Sequence, residues 1–184
     1  MSDPRKNQIS EILLSSEAIE ARVAELAQEI TASLASHDGY SAEEPLLVVS
    51  ILKGGAVFAC DLVREMNIPI EIDYVHARSY GTKKTAGDLT YHIGEVASKV
   101  QGRSVLLLDD IFDTGNTLQS IAEELAREGA SVVLTATLLM KEGTQKTDFR
   151  PSHVAFTVPN LFVVGYGLDY AERYRELPFI AVLQ

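Results

Sequence analysis

The run Val105-Leu106-Leu107-Leu108-Asp109-Asp110-Ile111-Phe112-Asp113-Thr114-Gly115-Asn116-Thr117 sets four apolar residues before two adjacent carboxylates, then a third carboxylate, one glycine and three hydroxyl or amide side chains. Residues of these types in this order suit the handling of a phosphorylated sugar. Free backbone N–H groups and hydroxyls at the start of a helix bind phosphate without basic side chains. Carboxylates accept hydrogen bonds from sugar hydroxyls and anchor Mg²⁺ directly or through water. A turn in which Asp113 or Thr114 merely caps the next helix accounts for one acid and leaves two unexplained. Adjacent acids at a strand end also repel each other, a cost that a cation or hydroxyl ligand offsets. The run is neither a Walker loop, since no Gly-Lys-Ser/Thr follows, nor a Gly-x-Gly-x-x-Gly fingerprint.

Other residues carry weaker signals. Lys53-Gly54-Gly55 follows an apolar run, where glycines are ordinary turn residues. Lys141 alone reads as a solvated lysine past a strand, and Phe162 as a core aromatic. Asp169 stands between Leu168 and Tyr170 and needs a partner in so apolar a stretch. His37, His76, His92 and His153 form no close metal-binding pair. Cys60 has only Asp61 beside it, which raises a thiol pKa and argues against a nucleophile.

The elements that must position these residues follow from periodicity. Ile19, Val23, Leu26, Ile30 and Leu34 predict a covering helix over 17–35, capped by Ser15 or Ser16. Leu46 to Leu52 and Val105 to Leu108 are apolar on both faces, as buried strands are. Ala56 to Met66 and the stripe Leu118, Ile121, Ala122, Leu125 predict helices, the second ended by Gly129. Ile70 to His76, Val132 to Leu139, His153 to Val158 and Phe162 to Val164 read as strands, with Phe179 to Leu183 as a last edge. Ser79 to Val100 lacks strong periodicity, apart from a hairpin around Asp88 to Ile93, and a loop that long is more often functional than passive. The βαβ succession from Leu46 to Leu139 implies an α/β fold with a largely parallel sheet, whose ligands sit beyond the strands' C-terminal ends.

Composition bounds the partners. The 184 residues make about one domain, 1–184, and 46% apolar with 23% charged residues are ordinary globular proportions. Sixteen basic against twenty-six acidic side chains give a net charge of -10, which speaks against nucleic acid or anionic membrane as partners. No apolar run approaches the roughly 20 residues of a membrane helix. One cysteine permits no internal disulfide, and the N-terminus has no export pattern, so a cytoplasmic location is expected.

The segment 105–117 resembles the phosphoribosyl pyrophosphate (PRPP) signature of the type I phosphoribosyltransferases. Leu52-Lys53-Gly54-Gly55, Ser79-Tyr80-Gly81, Leu139-Met140-Lys141 and Phe162 to Tyr170 occur in the order and spacing of the hypoxanthine-guanine phosphoribosyltransferases, and the similarity runs from about Ile19 to Leu183. It implies the type I phosphoribosyltransferase fold: a largely parallel twisted sheet flanked by helices, with a small hood formed by terminal segments. It implies conversion of hypoxanthine or guanine plus PRPP to the nucleoside monophosphate and pyrophosphate, with Mg²⁺. A xanthine-preferring relative would keep every motif. A nucleotide-sensing RNA-binding regulator of the same fold would need a basic face that the charge disfavours.

The roles carried over are these. Asp109 to Thr117, that is Asp109, Asp110, Ile111, Phe112, Asp113, Thr114, Gly115, Asn116 and Thr117, take the ribose and 5′-phosphate, with Asp113 as general base. Lys53, Gly54 and Gly55, on a loop whose peptide before the lysine can be cis, take the pyrophosphate together with Arg175, further along the chain. Lys141, Phe162, Val163 and Asp169 take the purine, Lys141 by donating to its 6-oxo group. Asp109, Asp110 and Asp169 lie near metal. Ser79 and Tyr80 belong to a flexible loop, about 79–99, that closes over the reacting centre. The first acid of the pair is often Glu in the family and is Asp109 here, one methylene shorter. Relatives assemble as homodimers or homotetramers, and the resemblance implies the same.

Overall fold

The two runs that are apolar on both faces can only lie inside a sheet, and they do. The computed structural model describes residues 9–79 and 89–184. In chain order the elements are β1 (Ile9–Leu14), α1 (Ser16–Ala35), β2 (Leu46–Leu52), α2 (Gly55–Glu65), β3 (Ile70–Ser79), β4 (Leu89–His92) and α3 (Gly94–Val100). There follow β5 (Ser104–Phe112), α4 (Asn116–Arg127), β6 (Val132–Lys141), β7 (His153–Val158), β8 (Val163–Val164) and β9 (Ile180–Leu183). The main sheet has the order β4-β3-β2-β5-β6-β7, with β2 and β5 at its centre. All its neighbouring strands are parallel except β3 and β4.

Alternation along β2 and β5 divides the core in two. Leu46, Val48, Leu106 and Leu108 pack with Leu26 and Ile30 of α1 and Phe58 and Leu62 of α2. Leu47, Val49, Val105 and Leu107 pack with Val96 and Val100 of α3 and Leu118, Ile121 and Leu125 of α4. Each fully covered aliphatic side chain contributes about 1.5–3 kcal/mol of burial, so the central strands are the most firmly fixed part of the sheet. The Ser15 hydroxyl caps α1 by accepting from the Ala18 N–H at 3.3 Å. Arg22 fastens α1 across β7 by donating to the carbonyl of Ala155 at 3.0 Å.

A second, three-stranded antiparallel sheet, β1-β9-β8, brings the ends of the chain together as the expected hood. The segment expected as a last edge, Phe179 to Leu183, contains β9, which is instead the middle strand of this sheet. Ile180 and Ala181 are accordingly fully buried. β1 carries no alternation, since its residues are only partly covered, and periodicity does not reveal it. α3 lies in the stretch read as lacking periodicity, because in seven residues only Val96 and Val100 are buried. Tyr80 and the rest of 80–88 lie outside the described residues, and Ser79 is the last residue of β3. No helix among the described residues is long and apolar enough to cross a membrane.

Candidate functional site

In an open parallel sheet the crevice opens where neighbouring strands send their chains to opposite sides. Here that point lies between β2, which leads outward to β3, and β5, which leads to β6 and β7. The loops after these two strands meet over a cavity of about 510 Å³. Its walls include Lys53 and Gly54 after β2, Asp109 to Phe112 at the end of β5, Asp113 to Gly115 in the turn that follows, Thr117 at the start of α4, and Asp169 and Arg175 from the hood.

β5 extends four residues past its expected end, so Asp109 and Asp110 are strand residues and not an exposed loop. Both line the cavity, and their carboxyls are close enough to interact with each other. Asp109 is 7% exposed, and the hydrogen bond its side chain makes is with the Asp110 N–H, 3.0 Å from Oδ1. Asp110 lies on Gly54, where a Cβ would stand 1.6 Å from its Oδ2, so only glycine allows the Lys53 loop to come this close. Burial pushes the Asp109 carboxyl well above the usual carboxylate range, and the neighbouring Asp110 charge pushes it further. Burial likewise raises Asp110, against the hydrogen bonds it accepts and the positive charge of Arg175.

Such oxygen donors suit a hard divalent cation. Among the described residues no three acidic, histidine or cysteine side chains converge as a metal cage. Mg²⁺ ordinarily keeps water and substrate oxygens beside one or two carboxylates, and Asp109 with Asp110 fits that requirement. Asp169 is engaged elsewhere, its Oδ1 2.8 Å from Arg175 Nη2 and its Oδ2 accepting from the Glu172 N–H at 2.9 Å.

The helix cap is neither Asp113 nor Thr114. Gly115 caps α4 with a φ of 90° and no side-chain hydrogen bond. Asp113 and Thr114 are thereby free to face the cavity, and the first N–H groups of α4 have no carbonyl partner within the helix. The loop is buttressed by the segment that follows the neighbouring strand β6: Thr144 Oγ1 donates to the Asp113 carbonyl at 3.0 Å, and the Lys146 N–H to the Thr114 carbonyl at 2.9 Å. Asn116 is exposed and off the cavity wall, whereas Thr117 is on it.

The peptide Leu52–Lys53 is cis, as the resemblance allows. Lys53 Nζ lies 3.0 Å from Glu172 Oε2. Gly55 is buried behind the loop against Ser50 and the Leu108 carbonyl and is not part of the cavity wall. The hood reaches this loop through Gly167, whose φ is +99° and where a Cβ would stand 2.2 Å from the Gly54 carbonyl oxygen. Tyr166 donates to Asp61 of α2 at 2.7 Å. Burial and then Asp61 drive its phenol pKa far up, so the hydroxyl stays a donor.

The purine candidates sit beside the cavity. Lys141 ends β6, with a side chain 13% exposed and its Nζ 3.6 Å from Asp113 Oδ2. Gln145 donates its amide to the Lys141 carbonyl. Phe162 is not a core aromatic: it is 52% exposed and meets Tyr170 edge-on, with centroids 5.6 Å apart. It precedes β8, where Val163 is buried. The structure thus gathers Lys53, Gly54, Asp109 to Gly115, Thr117, Asp169 and Arg175 around one cavity, with Lys141 joined to it through Asp113. Phe162 and Val163 stand apart from its wall.

Sequence reasoning missed Glu172, Thr144 and the Tyr166–Asp61 pair. Glu172 and Arg175 stand at a spacing of three, a signal that was present; the contact with Lys53, 119 residues away, had none.

Comparison with known proteins agrees with this geometry. The family model described as phosphoribosyl transferase domain matches residues 10–171. A hypoxanthine-guanine phosphoribosyltransferase of Bacillus subtilis is 37% identical over 179 residues, covering 97% of this chain and 96% of that protein. A hypoxanthine phosphoribosyltransferase of Salmonella typhimurium is 35% identical over 170 residues, 92% of this chain and 93% of that one. Among solved structures, a hypoxanthine-guanine phosphoribosyltransferase of Bacillus anthracis superimposes with a TM-score of 0.80 at 33% identity, covering 96% of this chain and 99% of that chain.

Proposed function

The chain belongs to the phosphoribosyl transferase domain family, as one of its hypoxanthine-guanine phosphoribosyltransferases, and on that premise we propose that it joins hypoxanthine or guanine to the ribose of PRPP, forming IMP or GMP and releasing pyrophosphate. The observation that carries the reading is the 3.6 Å separation of Lys141 Nζ and Asp113 Oδ2. A 6-oxopurine presents its O6 and N7 on one edge, side by side. A lysine donor beside a carboxylate acceptor matches O6 together with a protonated N7. Adenine places an amino donor where O6 would be, which leaves the lysine unpaired and disfavours that base.

In the reaction a purine nitrogen forms a bond to the anomeric carbon as the bond from that carbon to pyrophosphate breaks. Positive charge develops on the sugar and negative charge on the leaving group. Asp113 accepts the purine proton. Thr114, Gly115, Asn116 and Thr117, with the free N–H groups of α4, hold the 5′-phosphate. Lys53, the Gly54-Gly55 backbone and Arg175 stabilise the departing pyrophosphate. Phe162 stacks on the base, while Val163 and Asp169 border it. Asp109 and Asp110 hold the ribose hydroxyls and Mg²⁺, with Asp169 nearby; the bound ion supplies electrostatic stabilisation of the phosphate oxygens.

We take residues 1–184 as one catalytic domain working in the cytoplasm as a homodimer or homotetramer. Val57 on α2 and Ile72 and Tyr74 on β3 are exposed apolar side chains that support assembly. Incubating the protein with PRPP, magnesium and each of hypoxanthine, guanine, xanthine and adenine tests the reading. Pyrophosphate and IMP in equal amounts from hypoxanthine are expected, with adenine inert. Preference for xanthine, or RNA retention at low salt without turnover, would point to the alternatives.

A further inference from the structure

The cavity carries two basic side chains among the described residues that line it, Lys53 and Arg175, and four carboxylates. Both cations converge on one atom outside the wall. Glu172 Oε2 lies 3.0 Å from Lys53 Nζ and 3.3 Å from Arg175 Nη2. One oxygen that accepts from both cations stands as a phosphate oxygen would, between the same two donors. The backbone holds it there: Ala171 and Glu172 have φ of 51° and 62°, and the Glu172 N–H donates to Asp169 Oδ2. Lys53 and Arg175, in that order, pull the Glu172 carboxyl below the usual range, so it is ionised at neutral pH.

Resting on the reading of Lys53 and Arg175 as the pyrophosphate subsite, we infer that Glu172 is an affinity-setting residue: its carboxylate occupies the two cations in the free protein and competes with pyrophosphate for them. Lys53 and Glu172 are more than half exposed, with side chains at 58% and 65%, so water and salt weaken their pair. A multiply charged anion with several oxygens displaces such a carboxylate, and on its departure the carboxylate returns. Arg175 keeps further anchors in Asp169 and in the Gly167 carbonyl, to which its Nη1 donates at 2.8 Å. Its guanidinium therefore stays in place when Glu172 swings out. The arrangement trades affinity for faster release of a product that would otherwise bind tightly among the two cations.

Calorimetric titration of the full chain with sodium pyrophosphate, at fixed magnesium and at low and high ionic strength, tests this. Glu172→Gln keeps the backbone turn and removes the charge. It should bind pyrophosphate about threefold to tenfold more tightly than the wild type at low salt, with the gap narrowing at high salt. Inhibition of turnover by added pyrophosphate should strengthen by the same factor. Lys53→Met should bind more weakly, and in its background Glu172→Gln should lose most of its effect. Equal or weaker binding by Glu172→Gln would overturn the inference, and weaker binding would mean that Glu172 holds the cations in position for the ligand. If wild type and Glu172→Gln both fail to bind pyrophosphate, the subsite reading itself falls, and the inference with it.

Discussion

Two segments close on the same cavity and are built in opposite ways. The segment from Asp109 to Thr117 is nine consecutive residues running from the end of β5, a strand covered on both faces, into the start of α4; its carboxylates Asp109 and Asp110 make no ion pair among the described residues, and Asp113 faces Lys141 at 3.6 Å. The hood turn between β8 and β9 is held by positive-φ residues such as Gly167 and Glu172, and its carboxylates face cations: Asp169 faces Arg175, and Glu172 faces both Arg175 and Lys53. In the first segment, burial holds the Asp109 and Asp110 carboxyls above the usual range, Asp109 further so beside the Asp110 charge, a cost that a bound cation offsets. In the second, charge is already neutralised within the chain. On the proposed function, the first segment would hold metal, sugar and proton, and the hood would set how tightly the anionic leaving group is held.

Four changes test this contrast, in descending order of expected effect. Removing divalent cation with a chelator should weaken PRPP binding by roughly 10²–10³-fold, since the loop carboxylates then repel the phosphates. Unchanged calorimetric affinity would place the metal elsewhere. Gly167→Ala forces a Cβ onto the Gly54 carbonyl at a φ of +99° and should cost about 2–3 kcal/mol in urea unfolding. A wild-type midpoint would mean that the hood does not press on the Lys53 loop. Lys141→Ala should raise the KM for hypoxanthine about tenfold to a hundredfold and narrow the gap to adenine, and an unaltered preference would remove Lys141 from base recognition. Tyr166→Phe should lower stability by about 1 kcal/mol, the loss of its bond to Asp61. No loss would leave the hood anchored by packing alone.

The same contrast explains what could be read from the amino acids. Asp109 to Thr117 was legible because its chemistry and its position come from neighbours in sequence. A run such as Val105 to Leu108 must be central, and whatever follows it must lie at the ligand edge of a parallel sheet. Lys141 was placed by the same rule at the end of β6. The hood was legible only by resemblance. Ala171, Glu172 and Tyr174 adopt positive φ without being glycine, so no turn signal marks them. The middle place of β9 depends on β1, which begins 171 positions earlier and shows no alternation. Residue type alone suggests a core place for Phe162, and only the resemblance assigns it to the purine; its place ahead of β8 leaves the ring exposed.

The claim that the β5 loop performs the chemistry rests on Asp113, whose carboxylate stands 3.6 Å from Lys141. Its direct test is to measure, on one preparation of Asp113→Asn, both the affinity for IMP by calorimetry and the single-turnover rate with hypoxanthine and PRPP. The account predicts affinity within a few-fold of wild type and a rate lower by about 10²–10⁴. Wild-type turnover by this variant would contradict it and return the proton to another acceptor.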